Sequence, residues 1–556
     1  MDAPTDSESS APARRPVRQL TLPAPNWRRL ATGNGVVPSD FPYRTVALGT
    51  IGSVLLLASS IGAAGILVHD PLIGTGPWSW LRYGHGRALA TGVLYCGFGL
   101  VVWAWVRLGR YVLMHRVGVR SVLIAAGCWM APLLAAPPLF TRDVFAYLAQ
   151  GALLYQHDPY HSAPNVLTSI PKILPNVFPA WQSTPSPYGP VFLAIAKGLV
   201  TMTGDHPIAG VIVTRIALLP GLVLLVWALS RLVTHLGGNP AITMWLAVAS
   251  PMTVIHLVGG PHNELLMLGP LALGVLLALE RRHVLAIAVG TLAMLVKPTA
   301  AIALPFLVWI WANHLPDTQS KLSNFLRAGT ASVTVFGIVY AAGTYVSLGS
   351  VTIGWLEGLE GPQQIVSWIN LPTGLGQLAH VLTSLLMPVS QEPFVAAARG
   401  IAWLVLAGFG GWQWWQAREG GTTAVYHLAV TLIATALLAP PTLPWYLTWG
   451  FVIAAAFAWQ ARHLAVVVGV SVFMVLAYYP TGDAALNDPV IALVFLLSGY
   501  SGWCLLRPDP LGIVRSLRPT VEPRFVPRQR RAMTALPPKK PETVSLDQRQ
   551  TSHSSG

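Results

Sequence analysis

Long apolar runs separated by short polar segments repeat along most of this chain. Runs near the roughly 20 residues that a helix needs to cross a hydrocarbon core of about 30 Å recur from residue 45 to residue 506. The pattern predicts an all-α polytopic membrane domain over residues 45–506, with about fourteen transmembrane helices. The predicted spans are residues 45–68, 88–108, 121–139, 208–230, 240–258, 263–280, 284–299, 300–313, 326–347, 394–416, 423–440, 443–459, 463–479 and 489–506.

One further apolar stretch, Pro190–Thr203, is short and is interrupted by Lys197. If it crossed the membrane, the basic C-terminal segment would lie outside the cytoplasm, against the positive-inside rule. We therefore predict that this stretch is re-entrant or interfacial. Both termini are then expected to be cytoplasmic.

Composition and charge agree with a membrane protein. Hydrophobic residues make up 53% of the chain and charged residues only 10%, against roughly 25% charged in soluble domains. Of the basic residues behind the net charge of +14, six lie in residues 1–44 and ten in residues 507–556. We expect these two segments to be disordered cytoplasmic tails. They lack the folded basic surface that a nucleic-acid partner would require.

Six segments are predicted to lie on the face away from the cytoplasm. They are residues 140–188, 259–263, the turn near Lys297, and residues 348–393, 440–444 and 480–488. The first is too long for a plain connector. Its residues Asp143, Val144, Tyr147, Leu148 and Gly151 recur at helical spacing, which predicts an ordered loop with a short helix lying on the membrane surface.

Two charged residues stand at the start of that predicted helix. Asp143 would lie where the helix dipole favours a carboxylate, so a helix cap and a catalytic acid or base both fit. Arg142 fits a contact with a phospholipid headgroup or with the phosphate of a ligand.

Further polar and aromatic residues fall in the other outer segments. Tyr188 and Gly189 form a rigid turn or a face for a sugar or lipid. Three consecutive polar residues, His262, Asn263 and Glu264, stand at the start of an apolar helix. Polar groups there need hydrogen-bonding partners or a functional role. Helix capping by Asn263 is the alternative.

Lys297 interrupts an apolar stretch, so its ammonium group would reach water or meet an anionic ligand. Trp445 and Tyr446 suit either an aromatic belt or stacking on a substrate. No set of His and carboxylate residues has convincing metal-ligand spacing, so no cofactor is expected. A divalent cation bridging a phosphate and Asp158 or Glu264 stays open.

Five segments carry a family resemblance: TRDVFAYLAQGALLYQHDPY, PSPYGP, GGPHNE, VKPTA and PPTLPWYL occur in this order. The chain resembles the polyprenol-phosphomannose-dependent α-(1→6)-mannopyranosyltransferases of the MptA and MptB type, which have the GT-C fold, and is more similar to the MptA type. The resemblance implies a polyprenyl phosphomannose donor, a lipid-linked mannan acceptor of the lipomannan type, and chemistry on the periplasmic face of the inner membrane.

The resemblance also implies roles for individual residues. Asp143 matches the acidic residue of the first large outer loop and is expected to be the catalytic base of an inverting transfer. The remaining motif residues are expected to bind substrate: Arg142, Tyr147, Gln150, Asp158, Tyr160, Tyr188, His262, Asn263, Glu264, Lys297, Trp445 and Tyr446. Among these, Arg142 and Lys297 are the candidates for phosphate contact.

Two other classes of membrane protein would have the same apolar composition. A polyprenyl-lipid flippase or transporter is the main alternative, although transporters tend to place binding groups near the midplane of repeated halves. A noncatalytic membrane scaffold is the second, and it would not need Asp143, Lys297 and Glu264 on the same face.

Overall fold

The structure is a computed structural model that describes residues 41–64, 67–72, 76–316, 320–479 and 489–507. Nearly all of both predicted tails, and the predicted outer segment 480–488, lie outside the described residues. The described part is α-helical, and it also contains an isolated β-bridge between Gly237 and Phe457. The all-α fold class predicted from the pattern is confirmed for these residues.

The described residues form twenty α-helices. In chain order they are α1 (Tyr43–Ala63), α2 (Gly84–Leu113), α3 (Val119–Leu133), α4 (Asp143–Leu153), α5 (Pro179–Gln182), α6 (Pro190–Thr203), α7 (Pro207–Leu236), α8 (Pro240–Ala247), α9 (Glu264–Leu279), α10 (His283–Val296), α11 (Leu304–Ala312), α12 (Lys321–Leu348), α13 (Trp355–Gly358), α14 (Glu360–Gln363), α15 (Leu371–Ser384), α16 (Glu392–Gln416), α17 (Gly421–Leu438), α18 (Thr448–Ala454), α19 (Ala461–Leu476) and α20 (Pro489–Leu506).

Shorter helical segments join these elements. A π-helical segment, Met252–Gly259, follows α8. The 3₁₀ turns are Ser79–Arg82, Pro164–Val166, Leu174–Asn176, Pro298–Ala303, Ala417–Glu419 and Pro444–Leu447.

Six helices of the described chain are long and apolar enough to cross a membrane. They are α1, α2, α7, α12, α17 and α16 with its 3₁₀ extension. Helix α8 and the π-helical segment, bent by 47°, make a seventh if they count as one span. The protein is therefore a multi-pass membrane protein.

The predicted count of about fourteen spans is not confirmed. The predicted span 284–299 corresponds to α10, whose 14 residues rise only about 21 Å. The predicted span 443–459 is a 3₁₀ turn followed by the seven-residue helix α18. High apolarity marks helices enclosed by protein as well as helices that face lipid, so the pattern alone does not determine the number of spans.

Helix α6 coincides with the stretch predicted not to span. It has 14 residues, a rise of about 21 Å at 1.5 Å per residue, and it packs against α4. Its length fits a segment that does not cross a membrane of about 30 Å, while its depth in the membrane stays a prediction.

Helix α4 begins at Asp143, as the spacing predicts, but its setting differs from the predicted surface helix. Every residue from Val144 to Leu153 is buried, in contact with α6 and α7. Apart from Tyr147 and Gln150, this segment has no polar side chain. A helix that is apolar all round has no face suited to water, and here the neighbouring helices cover it.

Arg215 of α7 ties two distant segments together. Its buried guanidinium group donates to five backbone carbonyl oxygens, those of Leu134, Ala136, Pro137, Val258 and Gly259. The first three carbonyls precede Thr141, and the last two precede His262. Arg215 therefore holds the entry to α4 beside the entry to α9.

We expect Arg215→Met to lower the stability of the protein by at least about 3 kcal/mol, because buried carbonyl groups lose their donors. Arg231→Met in the same helix is the matched control. The Arg231 side chain is 55% exposed, so its loss should cost less than about 1 kcal/mol. Unfolding of the two purified variants in detergent measures the difference. Equal stabilities would contradict the structural role of Arg215.

Candidate active site

A cavity of about 830 Å³ lies where several distant segments meet. Its lining comes from residues 140–150, 178–188, 297–302, 359–367 and 435–449, together with Trp403 and Tyr478. The volume falls in the range of about 300–1,000 Å³ that is usual for ligand sites. Four of the six predicted outer segments thus contribute to one cavity. That this face lies away from the cytoplasm stays a prediction.

Seven of the thirteen predicted site residues line the cavity: Arg142, Asp143, Gln150, Tyr188, Lys297, Trp445 and Tyr446. Four others, Tyr147, His262, Asn263 and Glu264, are buried behind its wall. Asp158 and Tyr160 do not line it.

The local backbone presents Asp143 to the cavity. Phe140 has a φ of 60°, a left-handed conformation that costs a non-glycine residue roughly 1–2 kcal/mol. Its ring is held against His256 at a centroid distance of 5.4 Å. After this turn, Thr141 Oγ1 accepts the backbone N–H of Asp143 at 3.0 Å, and α4 begins.

The Asp143 carboxylate makes contacts other than helix capping. Its Oδ1 atom accepts a hydrogen bond from Trp181 Nε1 at 3.3 Å, and its Oδ2 atom lies 3.5 Å from Nδ1 of His262. The side chain is 17% exposed, on the cavity side. Asp143 is therefore a carboxylate that accepts a hydrogen bond at one oxygen, lies near an imidazole at the other, and is open to a ligand.

The surroundings also change the proton affinity of Asp143. Burial raises its pKa from 3.8 to about 6, and the neighbouring Glu264 carboxylate acts in the same direction. Lys297 and the contacts with Trp181 and Thr141 oppose the increase. A carboxylate with a pKa near the working pH is suited to general base catalysis.

Glu264 and Lys297 form a buried ion pair. Glu264 is the first residue of α9, and Lys297 follows α10. The ammonium group also lies 4.8 Å from the ring centroid of Tyr446 and 5.7 Å from that of Trp449. With a side chain only 11% exposed, Lys297 faces the cavity and meets a carboxylate of the protein itself.

His262 and Asn263 lie behind the cavity wall. The His262 ring stacks on Trp445 with centroids 3.6 Å apart. The backbone N–H of Asn263 donates to Tyr147 Oη at 3.4 Å. Asn263 occupies the cap position of α9, but its side chain makes no capping hydrogen bond. The capping alternative for Asn263 is therefore wrong.

The Tyr188 and Gly189 turn lies against the end of α10. A Cβ atom on Gly189 would stand 2.1 Å from the carbonyl oxygen of Leu295, and the Gly189 N–H donates to the carbonyl of Val296 at 3.2 Å. Glycine is needed here for a close approach to the protein, just before Lys297. The Tyr188 ring lines the cavity.

Asp158 and Tyr160 organise the loop that ends at this turn. Asp158 Oδ1 accepts the backbone N–H of Tyr160 at 2.9 Å, and Tyr160 Oη donates to the carbonyl oxygen of Tyr188, also at 2.9 Å. Asp158 is exposed and pairs with His161. Their observed contacts are structural, because they hold the loop and neither residue lines the cavity.

Two important residues were missed by the sequence analysis. Trp181 gives no local signal, because its partner Asp143 is 38 positions away. Arg215 does give a signal, since a lone cation inside an apolar run needs buried partners. Among the described residues, no group of three or more His, Cys, Asp or Glu side chains is placed to hold a metal ion.

Comparisons with known proteins agree with this geometry. Residues 46–313 match the family model described as the N-terminal domain of alpha-(1->6)-mannopyranosyltransferase, and residues 372–507 match the MptB C-terminal domain. No solved structure matches the chain significantly.

Curated relatives extend the match along the chain. Alpha-(1->6)-mannopyranosyltransferase A of Mycobacterium tuberculosis is 36% identical over 481 residues, covering 86% of this chain and 92% of the relative. The A protein of Corynebacterium glutamicum is 31% identical, covering 79% and 94%, and the B protein of that organism is 28% identical, covering 83% and 82%. The chain therefore belongs to the α-(1→6)-mannopyranosyltransferase family of the MptA and MptB type.

Proposed function

We propose that this protein is a GT-C glycosyltransferase that transfers mannose from polyprenyl phosphomannose to a lipid-linked mannan of the lipomannan type. The transfer forms an α-(1→6) linkage with inversion at the anomeric carbon. The observation that carries the proposal is the Asp143 carboxylate, which is held at the edge of the 830 Å³ cavity and remains partly exposed to it.

Asp143 is the general base in this proposal. As the acceptor hydroxyl oxygen attacks the anomeric carbon, its proton passes to the Asp143 carboxylate. The bond from the anomeric carbon to the phosphate oxygen breaks on the opposite face, and polyprenyl phosphate leaves with that electron pair. The raised pKa of Asp143 increases its strength as a base, and no second carboxylic acid is needed for a phosphate leaving group.

In this proposal two cations stabilise the departing phosphate. Arg142 and Lys297 both line the cavity, and a guanidinium group can donate two parallel hydrogen bonds to phosphate oxygens. In this proposal both cations contact the departing phosphate, and Lys297 shares its charge with Glu264.

Aromatic side chains complete the proposed binding surface. Tyr188, Trp445 and Tyr446 line the cavity, and their rings suit the apolar faces of sugars and prenyl groups. Gln150 is held by Ser186 Oγ, which donates to Gln150 Oε1 at 3.0 Å. It supplies amide N–H groups for a sugar hydroxyl.

We place the cavity on the periplasmic side of the inner membrane and both termini in the cytoplasm. The distribution of basic residues supports this orientation. The higher identity to the A-type relatives supports elongation of the distal part of the mannan backbone.

We expect Asp143→Asn to lower kcat by about 10²–10⁴-fold, the usual contribution of a general base, with donor binding unchanged. Membranes carrying equal amounts of each variant are assayed with polyprenyl phosphomannose and a lipid-linked mannan. Glu357→Gln is the control, because Glu357 is an exposed carboxylate that does not line the cavity. Unmodified activity in Asp143→Asn would exclude the base role. Transbilayer movement of the lipid by wild type without mannosyl transfer would favour a flippase.

We also expect activity to fall as the pH drops below about 6, because protonated Asp143 cannot accept a proton. In Glu264→Gln the acid limb should move to lower pH, since a negative charge that raises the Asp143 pKa is removed and Lys297 loses its counter-ion. The pH profile of kcat at saturating substrates measures both effects. An acid limb that moves to higher pH in Glu264→Gln would contradict this electrostatic description.

Arg142→Gln should weaken inhibition by the product polyprenyl phosphate by roughly 10–150-fold, which corresponds to the loss of a charged hydrogen bond of about 1.5–3 kcal/mol. Lys172→Gln provides the control, because Lys172 belongs to the same loop but does not line the cavity. Equal product inhibition in the two variants would remove Arg142 from the phosphate contact.

A further inference from the structure

His262 is a buried imidazole that cannot reach the substrate cavity. It is fully buried and does not belong to the cavity lining. It follows the π-helical segment and comes two residues before α9. A role in the reaction therefore has to pass through a residue that does line the cavity, and His262 contacts two of these, Asp143 and Trp445.

The orientation of the ring is determined on one side by Trp445. The two rings are 3.6 Å apart and only 21° from parallel. The backbone N–H of His262 also donates to the carbonyl oxygen of Leu257 at 3.2 Å. With the ring plane and the backbone both held, Nδ1 points towards Asp143.

The hydrogen-bonding capacity of His262 is otherwise unused. Within the described chain, neither ring nitrogen has a hydrogen-bond partner, and the atom that faces Nδ1 is Asp143 Oδ2 at 3.5 Å. A carboxylate only accepts hydrogen bonds, and a neutral imidazole carries one N–H donor. The favourable tautomer therefore has its proton on Nδ1, because the other would place a lone pair against a carboxylate oxygen.

The Asp143 carboxylate then has a donor at each oxygen. Trp181 Nε1 donates to Oδ1 at 3.3 Å, and His262 Nδ1–H is placed to donate to Oδ2. Two donors on separate elements prevent rotation of the carboxylate about its Cβ–Cγ bond. Asp143 still lines the cavity, with a side chain that is 17% exposed.

We propose that His262 is a positioning residue that donates from Nδ1 to Asp143 Oδ2 and holds the carboxylate in the orientation needed to accept a proton from the acceptor hydroxyl. This inference rests on the proposed base role of Asp143. The effect is one of geometry, because a displacement of about 1 Å at a reacting group can cost roughly 10²-fold in rate.

Two substitutions separate donation from ring stacking. His262→Phe keeps a ring against Trp445 but has no donor. His262→Asn loses the ring, yet its Nδ2 atom, one bond beyond Cγ, takes the position of Nδ1 and can donate. A positioning role predicts that Asn functions and Phe does not, whereas a packing role predicts the reverse.

We expect His262→Phe to lower kcat by about 10–100-fold and to leave the KM for polyprenyl phosphomannose within about twofold of wild type. His262→Asn should retain kcat within about threefold of wild type. Both are measured on the full chain in membranes, at matched protein levels. Wild-type kcat in His262→Phe, or a lower kcat in His262→Asn than in His262→Phe, would overturn the proposal. If His262→Phe does not accumulate, a loss of more than about tenfold in His262→Asn overturns it.

Asp143→Asn in the same preparation separates this inference from the proposed function. If Asp143→Asn is fully active, the base assignment fails, and the positioning role fails with it. If Asp143→Asn is inactive and the two His262 variants follow the packing prediction, only the positioning role fails. In the Asp143→Asn background, His262→Phe should cause no further loss, because contacting residues that act together are not additive.

Discussion

The rest of the site depends on the hydrogen bonds that Arg215 makes. A guanidinium group has five N–H donors, and five backbone carbonyl groups receive them. These carbonyls belong to the two segments that lead to Asp143 and His262. A side chain on a long, membrane-compatible helix thereby determines the distance between a carboxylate and an imidazole that are far apart in the chain.

The helical class and the start of α4 could be predicted from the sequence, because both follow from local patterns. The number of spans could not be predicted in the same way. Helix α10 and the 3₁₀ turn after it are as apolar as a lipid-facing helix, but much of their surface meets other helices. The apolar pattern shows that a segment is kept from water. It does not show whether lipid or protein surrounds the segment.

For the site, the sequence placed Asp143, Lys297 and Trp445 on one face, and the structure brings all three to one cavity. It could not show that Glu264 would pair with Lys297, because the two residues lie 33 positions apart and a complete helix comes between them. Nor could it distinguish a polar residue facing the cavity from one behind it. His262, Asn263 and Glu264 are consecutive, and the residues that contact them, Trp445, Tyr147 and Lys297, are distant in the chain.

The ion pair between Glu264 and Lys297 has a consequence for turnover. A buried cation with no partner would hold an anion tightly, because the anion's departure would strand an uncompensated charge. Lys297 already has a carboxylate beside it, so its charge stays compensated when an anion leaves. In the proposed reaction, Glu264 would compete with the departing phosphate for the same ammonium group. The protein would thus carry its own counter-ion, which limits product retention and restores the empty site for another cycle.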